Sequence, residues 1–117
     1  MGRVADDALR DMYGMMSPCV LCPRRCGAKR AEGEKGRCGA GPLPAVASFG
    51  PHFGEEPELV GSGGSGTVFF YGCNLGCAFC QNYDISSRVP VPGTEPGRLA
   101  ALMLHLEAAG CVNVNLV

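Results

Sequence analysis

Cys73, Cys77 and Cys80 stand at C-x3-C-x2-C, with Phe79 just before the last. Thiolates this close in sequence can converge on one metal centre. An iron-sulfur cube is ordinarily held by four cysteines, so three leave one iron without a protein ligand. An open coordination position belongs to a centre that does chemistry, and a closed one to a centre that holds a fold, as catalytic and structural zinc show. Thr67 to Gly72, just before these cysteines, is a β-branched and aromatic run. Such a run suits a strand buried on both faces, as in a parallel sheet. The cysteines therefore leave the C-terminal end of a strand, where β/α barrels carry their ligands.

A second group lies upstream. Cys19, Cys22, Cys26 and Cys38 follow C-x2-C-x3-C-x11-C, in a basic, glycine-punctuated stretch with Arg24, Arg25, Lys29, Arg30, Lys35 and Arg37. Four thiolates can close a tetrahedral zinc site or hold an iron-sulfur cluster, and the spacing does not choose between them. Such a closed site is structural or electron-relaying. The basic residues read either as a solvated face or as an offset to the charge of clustered thiolates. Cys111 stands alone and reads as a small buried thiol between helix and strand.

The elements that must position these groups are legible in outline. Residues 3–16 predict a packing helix with Val4, Ala8, Met12 and Met15 or Met16 near one face. Val46 to Phe49 suits a short strand that Gly50 and Pro51 break. His52 reads as a surface histidine, and Glu55, Glu56 and Glu58 as solvated acids. The Gly61–Gly66 run lacks the Gly-Lys-Ser/Thr ending of a Walker motif and predicts a flexible turn. A helix capped by Thr94 then carries Leu99, Leu102, Met103 and Leu106 on one stripe and ends at Gly110. His105 lies off the stripe and reads as exposed and inert. Val112 to Val117 alternates apolar residues with Asn113 and Asn115, as a second strand does. Strand, crossover helix and strand make a βαβ unit with parallel strands.

Composition bounds the rest. The chain has 117 residues, 46% of them hydrophobic, with eighteen glycines, nine prolines and a net charge of −1. That charge gives no reason to expect nucleic acid or a membrane surface as partner. No run of about 18 apolar residues marks a membrane span. Asp6, Asp7 and Asp11 near the start do not suit a signal peptide. Eight cysteines in CxxC-type groups, without a signal peptide, point to metal in a reducing, cytoplasmic setting and away from disulfides.

C-x3-C-x2-C with Phe79 in the penultimate slot resembles the cluster motif of the radical S-adenosylmethionine (SAM) superfamily. The run Phe69 to Ser86 resembles a narrower branch, the proteins related to pyruvate formate-lyase activating enzyme. Leu21 to Gly27, Gly36 to Gly39 and Gly110 to Val117 fit the same branch, so the resemblance covers residues 17–117. It implies a [4Fe-4S] cluster on Cys73, Cys77 and Cys80, with SAM chelating the open iron. One electron then cleaves SAM to a 5'-deoxyadenosyl radical, which abstracts a hydrogen atom. By the same resemblance Phe79 lies by the adenine, and Gln81 and Asn82 line its pocket. In this branch the hydrogen comes from a glycine of a partner enzyme, and a separate electron donor is needed.

The expected fold class is therefore α/β. One βαβ unit, residues 61–117, starts a partial (β/α) radical SAM barrel. A helix and a loop-rich metal-binding segment with four cysteines, residues 1–60, precede it. The chain stops at the second strand, before the superfamily's later strands and the motif that meets the SAM amino group. It reads as the first part of a longer protein, or as one needing strands from another subunit. Cluster binding can then survive in this fragment without SAM cleavage. A small module stabilised by zinc or a cluster, without catalysis, is the competing reading.

Overall fold

The computed structural model describes residues 2–117, with side chains from residue 4 onward. In chain order the elements are α1 (Gly2–Gly14), a 3-10 turn (Arg30–Glu32), β1 (Val46–His52), α2 (Pro57–Val60), β2 (Ser65–Phe70), α3 (Tyr83–Ser86), α4 (Pro96–Ala108) and β3 (Asn113–Leu116). The three strands form one sheet in the order β1-β2-β3. β1 runs antiparallel to β2, with Val46 opposite Phe70 and His52 opposite Ser65. β3 runs parallel to β2, with Ser65 beside Asn113 and Val68 beside Leu116. β2, α4 and β3 thus form a parallel strand–helix–strand unit.

The core lies where α4 meets the sheet. Val68, Leu106 and Cys111 are buried together, and Val46, Phe70, Leu99, Leu102 and Val114 pack around them. These are the apolar stripe of α4 and one face of each strand, brought together by burial of apolar area. α4 starts with Pro96 in its first turn, where a missing amide hydrogen costs nothing. Glu95 holds the N-cap position, without a side-chain bond, and the Thr94 amide goes to the Pro44 carbonyl, so Thr94 is not the cap. At the other end the Gly110 amide bonds the Glu107 carbonyl and the Cys111 amide bonds that of Leu106. That paired closure needs a left-handed residue, and Gly110 supplies it with φ +94°.

Three expectations about the elements need correcting. β1 does not break at Gly50 and Pro51, and Pro51 pairs opposite Gly66. Proline lacks the amide hydrogen of a central strand but is tolerated on an edge strand, which β1 is. The Gly61–Gly66 run is not wholly a flexible turn, because Ser65 and Gly66 open β2 and are buried. Its serine is held by side chains: the Ser65 hydroxyl donates to Asn113 Oδ1 at 2.6 Å and accepts from Asn115 Nδ2 at 2.5 Å. α1 ends at Gly14, and none of its described side chains is buried, with Val4 82% exposed. It is not the packing helix its spacing predicts. The sheet also crosses residue 60, since β1 lies before that boundary and β2 after it.

Among the described residues, no helix is long and apolar enough to cross a membrane. The radius of gyration is 15.9 Å and the extents are 44 × 43 × 23 Å. A compact domain of this length would measure about 13 Å, so the molecule is a plate rather than a ball.

Candidate metal centres

The C-x3-C-x2-C loop leaves the C-terminal end of β2 and is closed at its base. The Gly72 amide bonds the Ile85 carbonyl at 2.9 Å, and the Tyr83 amide bonds that of Cys80 at 3.2 Å. Gly72 has φ +85°, and a Cβ there would lie 2.6 Å from the Cys38 carbonyl oxygen. Only glycine satisfies both that left-handed backbone and that approach. Cys73, Cys77 and Cys80 are free thiols and half-buried. The Leu75 amide donates to Cys73 Sγ at 3.4 Å, and Cys80 Sγ lies 3.4 Å from the Ser86 hydroxyl. Phe79 is 90% exposed.

Gln81 and Asn82 follow the loop and line a cavity of about 530 Å³ with Thr67, Phe69, Asn115 and Val117. His52 and Glu55 also line it, 3.9 Å apart, and both are exposed, as the sequence predicts. Nothing local marks them, because the extension of β1 to His52 is what brings them there. Phe79 is not part of this cavity wall.

The four upstream cysteines lie on turns beside the same loop. Arg30 is 5% exposed, and its guanidinium reaches three of them: Nε to Cys19 Sγ at 3.0 Å, and Nη2 to Cys38 Sγ at 3.3 Å and Cys26 Sγ at 3.7 Å. Nη1 donates to the Ala40 carbonyl. The basic stretch is therefore not only a solvated face. Cys22, the fourth, turns toward the second loop. Its thiol pKa is lowered, first by the Asn74 side-chain amide and then by the Arg24 backbone. The Cys26 pKa is lowered by hydrogen bonds from the Ala28 and Arg37 backbone. The Arg30 pKa is raised, chiefly by its bond to Cys19.

The two groups meet. Arg24 donates through Nε to the Asn74 carbonyl and through Nη2 to that of Leu75, the latter at 2.7 Å. A cavity of about 390 Å³ is walled by Cys19, Cys22 and Cys38 on one side and by Tyr71, Cys73 and Asn74 on the other. Among the described residues, no three His, Cys, Asp or Glu side chains surround a single position fit for a metal ion. An iron-sulfur cube does not ask for that, since each thiolate binds a different iron at a different corner. The donor set suits such a group: three free thiols on one closed loop. All eight cysteines are free, so none is committed to a disulfide. Cys111 belongs to the core and to neither group.

No protein-family model matches the chain, and no solved structure does. The chain is 46% identical over 68 residues to the uncharacterized protein MJ0674 of Methanocaldococcus jannaschii. The match covers 58% of this chain and 19% of that protein, so this chain spans only a small part of its relative.

Proposed function

We propose that this chain carries the cluster-binding unit of a radical SAM protein related to the activases of glycyl-radical enzymes. The observation that carries the reading is the placing of three free thiols on one closed loop, at the C-terminal end of a strand with a parallel neighbour. Cys73, Cys77 and Cys80 would each supply a thiolate to a [4Fe-4S] cluster, leaving one iron for the amino and carboxylate groups of SAM. When bound, the cluster supplies the electron that cleaves SAM homolytically to a 5'-deoxyadenosyl radical.

The chain's own residues bind and orient. Phe79 offers a free aromatic face to the adenine. Gln81, Asn82 and Asn115 present amide donors and acceptors to one cavity beside the loop. The hydrogen donor would be a glycine of a partner protein, and a separate one-electron donor would reduce the cluster. The strands that complete a (β/α) barrel would come from a longer chain or another subunit. The upstream cysteines would hold a second group, zinc or an iron-sulfur cluster.

Anaerobic reconstitution with iron and sulfide, then reduction and addition of SAM, tests this. The expected result is a paramagnetic cluster whose spectrum shifts with SAM and disappears in Cys77→Ala but not in Cys111→Ala. A cluster that shifts without forming deoxyadenosine identifies a binding unit that needs the rest of a barrel. Zinc at both cysteine groups, with no cluster, overturns the reading in favour of a zinc-stabilised module.

A further inference from the structure

The apolar residues of α1 have no cover among the described residues. Val4, Ala5, Ala8, Leu9, Met12 and Tyr13 follow one another in alternating steps of one and three, which sets them on one half of the helix. Asp6, Asp7, Arg10 and Asp11 hold the other half. All of these side chains are exposed. A helix shorter than about 12–15 residues is marginal in water by itself, and most helices in proteins are held by packing of an amphipathic face. α1 has 13 residues and lacks that packing. Beside it runs a groove of about 250 Å³. Leu9, Met12, Tyr13 and Met16 make one wall, Leu21, Leu43 and three prolines the other, and no charged residue lines it.

Charge selects the occupant. α1 has two arginines against three aspartates, so it lacks the basic polar face of a helix that lies on a membrane. Its charges are instead self-complementary. Asp6 and Arg10, one turn apart, border the apolar half on the same side. An antiparallel copy of α1 that crosses near Ala8 sets each Asp6 beside Arg10 of the other copy, and the small side chain at the crossing lets the helices approach. Val4, 82% exposed, then reaches the groove beside Met12 of the other copy. We propose that this face is a two-fold interface between copies of the chain, with α1 of each lying antiparallel on the other. Closed two-fold pairs are the commonest assemblies of soluble chains. One helix and one groove make a small interface, so the dimer depends on concentration. None of this involves the cysteines, so it stands apart from the proposed function.

The test uses the full chain carrying Leu116→Lys, so that the open edge of β3 plays no part, in reducing buffer at low salt. Sedimentation velocity over a concentration series should show monomer and dimer in exchange. Met12→Glu, at a position 61% exposed, should weaken the dimer at least about tenfold by placing a charge in the apolar face. Should circular dichroism show that this variant changes the fold of the monomer, Val4→Ser replaces it. Asp6→Arg and Arg10→Asp should each weaken the dimer, because each sets like charges side by side. An equimolar mixture of those two variants should dimerise again, since both contacts become Arg–Asp pairs. A parent that stays monomeric leaves the groove to a different partner and overturns the proposal. So does a dimer indifferent to the apolar substitution, or a mixture no more associated than its components. Failure of the radical SAM reading leaves all these outcomes unchanged.

Discussion

Leu106 is 1% exposed and Val68 wholly buried, and the other buried apolar residues are small: Cys19, Ala28, Ala45, Val60 and Cys111. Truncating Leu106 to alanine removes the largest of these side chains, at a cost of about 2–5 kcal/mol. Domains of this size have about 5–15 kcal/mol in all. Leu106→Ala is therefore expected to lower the urea midpoint sharply, and a midpoint within error of the parent would contradict this account of the core. Ser65 is the polar counterpart, completely buried between Asn113 and Asn115. Ser65→Ala removes two hydrogen bonds to amide groups that keep each other, at 3.4 Å, and water as partners, at a cost of about 0.5–1.5 kcal/mol, readable as a lower melting temperature. The candidate thiols are legible in the sequence because type and spacing alone single them out. Ser65 is not, because a serine in a Gly-Ser run carries no sign that a strand starts there. Nor is the burial of Arg30, one cation among many in a basic stretch, since only the turns that gather Cys19, Cys26 and Cys38 single it out.

Between elements, the notable link is Arg24, whose side chain spans from the upstream cysteine turn to two successive carbonyls of the C-x3-C-x2-C loop. A planar fork suits two adjacent carbonyls, and lysine, a point charge, does not reproduce it. Arg24 is exposed, so its loss should change global stability by no more than about 0.5 kcal/mol. The expected effect of Arg24→Ala is local: faster loss of iron from the reconstituted loop and a broadened cluster spectrum, with an unchanged melting temperature of the metal-free chain. Arg24→Lys should rescue little. Unchanged iron retention in Arg24→Ala would show that the loop holds its own shape. α4 and the parallel partner of β2 follow from apolar periodicity, which reads burial on one face. β1 past Gly50 does not, because pairing with β2 overrides local breakers there. The exposure of α1 escapes the same periodicity, since a stripe of Val4, Ala8 and Met12 tells that a face is apolar but not that anything covers it.

At the scale of the whole molecule, three strands in a plate 23 Å thick do not close a barrel. β3 is an edge strand, and Leu116 and Val117 beside it are more than half exposed. Parallel strands are ordinarily covered on both faces. An open edge with apolar side chains is a template for pairing with further chain. The archaeal relative is longer than the stretch it shares, which is 19% of its length. The 117-residue chain by itself should then associate as its concentration rises, as seen by sedimentation velocity. Leu116→Lys places a charge on that edge at a position already 59% exposed, so it removes little packing within the chain. It should shift the distribution toward monomer while leaving the melting temperature nearly unchanged. A parent that stays monomeric at every concentration would contradict this reading of the exposed edge.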